Sequence, residues 1–186
     1  TASISMVTTT ITFPEGYTMQ QIFEKLEEEG ICSVEDLEEA AANYVYNYSF
    51  LDWSEPGEAS RLEGYLFPDT YEFYLGEDPK TAINKMLVNF DRRFDDEMRA
   101  AAQEKGYSVR DIVIIASMIE KETDGTDQAH IASVIYNRLT NTSAETVGLL
   151  GIDATLVYAL GRPITQDDYQ TADTPYNTYK YQGLPP

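Results

Sequence analysis

The segment Asp111-Ile-Val-Ile-Ile-Ala-Ser-Met-Ile-Glu120-Lys-Glu-Thr123 holds the residue best suited to acid–base chemistry. At about 100° per residue, Ile112, Ala116 and Ile119 fall in one narrow arc, flanked by Val113 and Ile115. Hydrophobicity extends nearly all round, a pattern that predicts a buried helix. On that wheel Glu120 projects between Ala116 and Val113, inside the apolar arc. Glu122 lies beside Ile115, and Lys121 points to the far side. A carboxyl emerging from apolar surroundings has its ionised form disfavoured, which raises its pKa toward that of a useful proton donor. The opposing reading is a solvent-facing or ion-paired glutamate at a helix end, and periodicity alone leaves both open.

Other polar residues recur at turn-prone positions. The stretch from His130 to Leu139 reads as a helix burying Ile131, Val134, Ile135 and Leu139, with Asn137 and Arg138 near its end as capping groups or as ligands for a polar substrate. Asp153-Ala-Thr155 and Tyr176-Asn177-Thr178-Tyr179 each combine hydrogen-bonding groups with turn formers, which suits hydroxyl-rich ligands such as sugars. The 14 tyrosines suit sugar stacking too, although tyrosine is equally good core material.

Composition removes several alternatives. With 32 Asp+Glu against 13 Lys+Arg, the 186-residue chain has a formal charge of −19, which repels nucleic-acid backbones and anionic bilayers. A single cysteine, Cys32, excludes an internal disulfide framework, and a single histidine, His130, excludes His-clustered zinc chemistry. Nothing marks a Schiff-base lysine or a phosphate cradle, so no cofactor or metal is expected. No run approaches the ~18 apolar residues of a membrane span. The chain opens at Thr1 and stops at Gly183-Leu184-Pro185-Pro186, which reads as cut at both ends; any membrane anchor is expected to lie outside it.

The elements that must position these residues follow from local signals. Thr8 to Phe13 alternates as a strand, and Pro14-Glu15-Gly16 turns the chain. Thr18 and Gln21 form a capping box for a helix with Ile22, Phe23 and Leu26 inward, stopped at Gly30. Ser33 caps a second helix through Leu37 and Ala41. The Ser54–Glu58 stretch reads as a loop and lobe boundary. Pro68 prevents Leu62–Phe73 from being one central strand. Asp78 and Pro79 open a helix carrying Ile83, Met86, Leu87 and Phe90, which continues with a break through Phe94 and Met98 toward Gly106. Ser108 caps the helix that bears Glu120. The expected architecture is α+β: a small N-terminal αβ lobe over residues 1–50 and a helix-rich lobe with short strands over 51–186, with substrate in a cleft between them.

The motifs themselves are distinctive. Leu62-Glu-Gly-Tyr-Leu-Phe-Pro-Asp-Thr-Tyr71, Ala116-Ser-Met-Ile-Glu-Lys-Glu-Thr123, Ile131-Ala-Ser-Val-Ile-Tyr-Asn-Arg-Leu139, Asp153-Ala-Thr-Leu-Val-Tyr158 and Tyr176-Asn-Thr-Tyr179 with Gly183-Leu-Pro-Pro186 occur in one order. Together they resemble the endolytic murein transglycosylase family (MltG or YceG-like). Phe13-Pro-Glu-Gly16 is similar to the segment that precedes the family's catalytic region, and its lobe is LysM-like.

The resemblance implies lytic cleavage of the β-1,4 bond between N-acetylmuramic acid and N-acetylglucosamine in nascent peptidoglycan, leaving 1,6-anhydro ends. It implies Glu120 as sole acid and then base, in a catalytic lobe over residues 51–186. Glu63, Asp69 and Asp153 fall in family motifs and are expected to shape the site or hold substrate; Asn137, Thr155, Tyr176 and Asn177 are further lining candidates. It also implies action on the extracytoplasmic face of a bacterial membrane, with peptidoglycan strands and cell-wall synthases as partners.

The sequence departs from the family pattern in Leu150-Gly-Ile-Asp-Ala-Thr155, which lacks a usual Gln and hydroxyl. The stretch from Leu139 to Leu150 looks longer than usual, and the family continues with strands and a helix after Gly183-Leu-Pro-Pro186, so the catalytic lobe is expected to be C-terminally truncated. These departures motivate an alternative, a noncatalytic peptidoglycan-binding or scaffold domain. A third reading, an ordinary hydrolase pairing Glu120 with Glu63 or Asp153, predicts reducing-sugar products.

Overall fold

A computed structural model describes residues 7–51 and 57–186. Ser54, Glu55 and Pro56, the centre of the expected boundary loop, lie outside the described residues. The fold is α+β and helix-rich, with a two-stranded sheet. The chain divides into two compact units, Thr1–Lys105 and Gly106–Pro186. The division therefore falls beyond position 105, whereas composition placed a lobe boundary at 50.

The reason is visible in the first unit. Strand β1 (Thr8–Thr12) pairs antiparallel with β2 (Thr70–Tyr74), with Thr8 opposite Tyr74 and Thr12 opposite Thr70. The N-terminal strand thus finds its partner well beyond residue 50. Between them come helices α1 (Met19–Glu28) and α2 (Val34–Asn43) and a short 3-10 turn at Ala59–Leu62. Both bonds of the Thr18–Gln21 capping box form, satisfying N–H groups the first helical turn leaves without partners. Gly30, at φ +73°, supplies the left-handed residue that ends α1, and its carbonyl accepts from Gly76 N at 3.1 Å.

Helix α3 (Pro79–Arg93) starts on the Asp78 cap, with Pro79 at its first position. It stops at Phe94, and Asp95 caps a separate helix, α4 (Asp96–Glu104). The expected break before Met98 is present, and Met98 is 52% exposed because α4 buries only Ala102. The core of this unit is Phe13, Phe23, Leu26, Ile31, Leu37, Leu62, Tyr65, Phe73, Ile83, Met86 and Leu87, all buried. Arg61 is buried among them; its Nε donates to Ala41 O at 2.6 Å and its Nη2 to Tyr44 O at 2.7 Å, fixing the chain where α2 ends.

The second unit consists of α5 (Val109–Glu122), α6 (Gln128–Thr140), α7 (Asp153–Leu160) and the short α8 (Asp168–Thr171). Ser108 and Asp111 form the capping box that starts α5. The buried cluster is Ile115, Met118, Ile135, Leu150 and Ile152, with Leu184 packed on its edge. The loop between α6 and α7 holds Val147 at φ +44°, an unfavourable conformation for a β-branched residue. Gln182 Nε2 donates to Val147 O, and Gly183 N donates to Gly148 O at 3.3 Å, so the C-terminal segment fastens that loop.

The all-round burial expected of α5 does not occur. Ile115 and Met118, three residues apart, are its buried residues, while Ala116, Ser117 and Glu120 are exposed. The helix packs on α6 and α7 along one stripe, which leaves the Ala116–Glu120 face in solvent. On α6 likewise only Ile135 is buried; Ile131, Val134 and Leu139 are half-buried.

Candidate functional site

The sequence-derived site residues divide between the two units: Glu63 and Asp69 lie in the first, the rest in the second. Glu63 is half-buried and its Oε1 accepts from Met19 N at 2.9 Å, placing a carboxylate on the first N–H of α1, where the helix dipole favours it. Asp69 is fastened from several sides. Thr70 N donates to its Oδ1 at 2.8 Å, and Asn89 Nδ2 and Arg93 Nη2 donate to its Oδ2 at 3.0 and 3.3 Å. The Thr70 N–H, then the Asn89 amide and the Arg93 guanidinium, hold its carboxyl below the usual carboxylate range. Asn89 Nδ2 also donates to Tyr71 Oη at 2.9 Å, so one buried amide joins α3 to the Pro68-Asp69 turn.

In the second unit Glu120 is exposed, and its carboxylate makes no hydrogen bond or ion pair with another described residue. The expected semi-dry setting inside an apolar arc is therefore absent from the α5 surface itself. Asn137, on α6, is exposed as well, and its backbone carbonyl accepts from Asn141 N at 2.9 Å.

The densest polar constellation surrounds the start of α7. Asp153, exposed at the helix's first position, accepts Tyr179 Oη on Oδ1 at 2.5 Å and Tyr169 Oη on Oδ2 at 3.3 Å. The two rings meet edge to face, centroids 4.6 Å apart. Partial burial pushes the Tyr179 phenol well up, and the Asp153 carboxylate, the Tyr169 phenol and Glu122 add to the shift. Glu122 therefore lies close enough for its charge to be felt at Tyr179, whereas Glu120, two residues earlier, projects about 160° away around the helix.

Thr155 and Asn177 are buried and committed to structure. Thr155 Oγ1 donates to Ile152 O at 2.8 Å and lies 3.2 Å from Thr178 Oγ1, while Ile152 N donates to Thr178 Oγ1 at 2.9 Å. Asn177 Nδ2 donates to Ala172 O at 2.9 Å and Tyr169 O at 3.3 Å, and its Oδ1 accepts from Tyr179 N at 3.1 Å. Tyr176 is half-buried, its ring 5.4 Å from that of Tyr158. Gly151, at φ +60°, completes the arrangement: a Cβ there would stand 3.5 Å from Tyr179 Cε1 and 3.7 Å from Arg138 Nη1. Arg138 Nη1 donates to Leu150 O, so the end of α6 is tied to the same loop.

Tyr169 is the member sequence reasoning missed. It sits in no recognised motif, and only the fold carries its phenol to Asp153.

The profile of the YceG-like family matches residues 2–186. The chain belongs to the YceG-like family. Among curated relatives, this YceG-like chain is similar to the endolytic murein transglycosylase of Streptococcus pneumoniae serotype 2, at 32% identity over 203 residues, covering 97% of this chain and 36% of the relative. It is similar to the endolytic murein transglycosylase of Bacillus subtilis strain 168, at 31% identity over 193 residues, covering 100% of this chain and 49% of the relative. The YceG-like chain thus spans half or less of the length of these curated relatives. A crystal structure of a yceG-like protein from Listeria monocytogenes matches with a TM-score of 0.75 at 31% identity, covering 95% of this chain and 60% of that one. Among the described residues, no helix is long and apolar enough to cross a membrane.

Proposed function

We propose that this chain carries the catalytic region of an endolytic peptidoglycan lytic transglycosylase, with Glu120 as its acid and base. The observation that carries the reading is the family membership, with relatives named endolytic murein transglycosylase over nearly the whole chain. The structural support is an exposed carboxylate on α5, unencumbered by any described partner and so open to a glycan.

In the proposed reaction the Glu120 carboxyl protonates the glycosidic oxygen as the C1–O4 bond breaks. The C6 hydroxyl of the muramic ring attacks C1, and the Glu120 carboxylate takes the hydroxyl proton. The C6–O–C1 bridge replaces the glycosidic bond, no water is consumed, and the carboxyl returns to its starting state. One carboxylate is enough because the nucleophile belongs to the substrate, unlike the two-carboxylate glycosidases. Proton transfer by a positioned group contributes roughly 10²–10⁴-fold. Since Glu120 is exposed, exclusion of water from the reacting bond falls to the glycan that covers it.

Peptidoglycan strands are then the substrate, action is extracytoplasmic, and cell-wall synthases are candidate partners. The order β1-α1-α2-β2, with antiparallel strands, supports the LysM-like reading of the first unit. Digestion of purified glycan strands, followed by mass spectrometry, tests the function: anhydro-muramoyl ends support it, whereas reducing ends point to a hydrolase. Retention on sacculi with no soluble fragments points to the noncatalytic binding module.

A further inference from the structure

We propose that the outer edge of β1 docks a second copy of this chain, strand against strand. The ladder shows which backbone groups are open. Phe13 N donates to Asp69 O at 3.0 Å and Leu75 N to Val7 O at 3.0 Å, so the odd-numbered residues of β1 are the ones bonded to β2. In an antiparallel pair such residues alternate with others whose N–H and C=O point away from the partner. Those others are Thr8, Thr10 and Thr12, whose outward backbone groups have no hydrogen-bond partner among the described residues. The opposite edge of the sheet is closed. On β2, Thr70 N donates to Asp69 Oδ1 at 2.8 Å and Lys85 Nζ donates to Glu72 O at 2.8 Å. Tyr74 N donates to Glu77 Oε2 at 3.3 Å, and Glu77 N donates to Tyr74 O at 3.1 Å.

The occupant is a second copy because the open edge complements itself. About a two-fold axis at Thr10, an antiparallel partner sets Thr8 against Thr12, Thr10 against Thr10 and Thr12 against Thr8. Each of these pairs can exchange both backbone bonds. Every pair is threonine on threonine, on the exposed face of the sheet. The same contact already occurs within the chain, where Thr12 Oγ1 and Thr70 Oγ1 lie 2.8 Å apart. Charge favours this edge too, for the chain carries −19 yet Val7–Phe13 contains no charged residue. Glu72, opposite Thr10, would stand three strand spacings from its copy, about 14 Å, beyond the ~8 Å screening length at physiological ionic strength. No lysine, proline or bulge interrupts Thr8–Thr12, although such devices usually guard an exposed edge. A five-residue strand gives a small interface, so the association belongs with the weak class under about 1,200 Å². The inference is independent of the glycan-cleaving reading.

The test is sedimentation velocity of the 186-residue chain from about 10 μM to about 1 mM, with amide hydrogen exchange at both ends of that range. The 21.0 kDa monomer is expected to give way to a species of twice that mass as concentration rises. In the dilute sample the Thr8, Thr10 and Thr12 amides should exchange freely while those of Thr9 and Ile11 are protected. In the concentrated sample the threonine amides of the open edge should become protected as well. Thr10→Pro removes an N–H that bonds nothing in the monomer and should weaken association roughly tenfold or more. Thr10→Lys, which sets like charges across the axis with Glu72 beside each in its own sheet, should weaken it similarly and keeps the test valid if the proline variant fails to fold. Thr10→Val keeps the branched side chain and the ladder, and should leave association within about twofold. A chain that stays monomeric throughout, or a dimer equally strong in Thr10→Pro and Thr10→Lys, would overturn the proposal. So would threonine amides already protected in the dilute monomer, which would mean that the chain's own residues cover the edge.

Discussion

Tyr179 Oη donates to Asp153 Oδ1 at 2.5 Å, joining a residue of the C-terminal segment to the first turn of α7. Sequence separates them by 26 positions, and the bond between them organises the polar surface of the second unit. What keeps Tyr179 there is mostly buried amide chemistry.

Asn177 is 0% exposed and uses both ends of its amide on the backbone of Tyr169, Ala172 and Tyr179. Asn177→Ala strands these groups in a buried place and is expected to cost about 2–4 kcal/mol, from a hydrogen bond or two plus the desolvated partners left behind. Urea denaturation should show a lower midpoint. Asn177→Asp, which retains the acceptor toward Tyr179 N but loses the donor, should also destabilise the unit.

Tyr46 presents the opposite case. Its ring is buried, and its hydroxyl has no hydrogen-bond partner among the described residues. Burial pushes the phenol's pKa strongly upward, with the nearby Arg61 charge opposing. Removing a desolvated donor that bonds nothing is free of the usual loss, so Tyr46→Phe is expected to leave stability unchanged or raise it by up to ~1 kcal/mol. Thermal unfolding of the variant checks this; a fall in Tm of several degrees would show that the hydroxyl has a partner.

Asp168 gives the second unit a pH dependence. Arg162 grips it bidentately, Nη1 to Oδ2 and Nη2 to Oδ1 both at 2.8 Å, and Thr165 N donates to Oδ2 at 2.6 Å. These donors, the guanidinium first, hold its carboxyl far below the usual range. A lowered folded-state value means stability that is complete above the unfolded carboxylate pKa of about 3.9 and is lost as pH falls below it toward the folded value. Arg162→Gln should therefore reduce stability at neutral pH and raise the pH at which acid unfolding begins. Circular dichroism followed from neutral pH into acid reads both effects, and superimposable acid curves would contradict them.

The parts of the fold legible in the sequence are those encoded within a few residues. Thr18–Gln21, Ser33, Asp78–Pro79 and Ser108 each start a helix where local capping chemistry says they should, because the bonds involved span two or three positions. Thr12 and Thr70 lie 58 positions apart, and no local signal pairs them, which is why the strand's partner and the unit boundary escaped the reading. The α5 wheel gave apolar positions correctly but not how many neighbours would cover them. One stripe is packed, and Ala116 and Glu120 stay in solvent.

The site shows the same division. Asp153 and Tyr179 stand in recognisable blocks, yet their bond, and the arrival of Tyr169, depend on the path of the chain after α7. Thr155 and Asn177 have polarity that suits a ligand, whereas both are buried with their polar groups taken up by the loop and its backbone. Composition cannot tell a polar side chain that holds a loop from one that meets a substrate, because both uses require the same donors and acceptors.

The most direct test of the catalytic proposal is mass spectrometry of glycan strands digested by the protein and by its Glu120→Gln variant, with circular dichroism confirming equal folding. Gln keeps the size of the side chain and removes the transferable proton, and the exposed position makes a folding defect unexpected. The proposal predicts 1,6-anhydro-muramoyl ends from the unaltered protein and a decrease of roughly 10²-fold or more in the variant. Anhydro ends formed equally well by Glu120→Gln would contradict it.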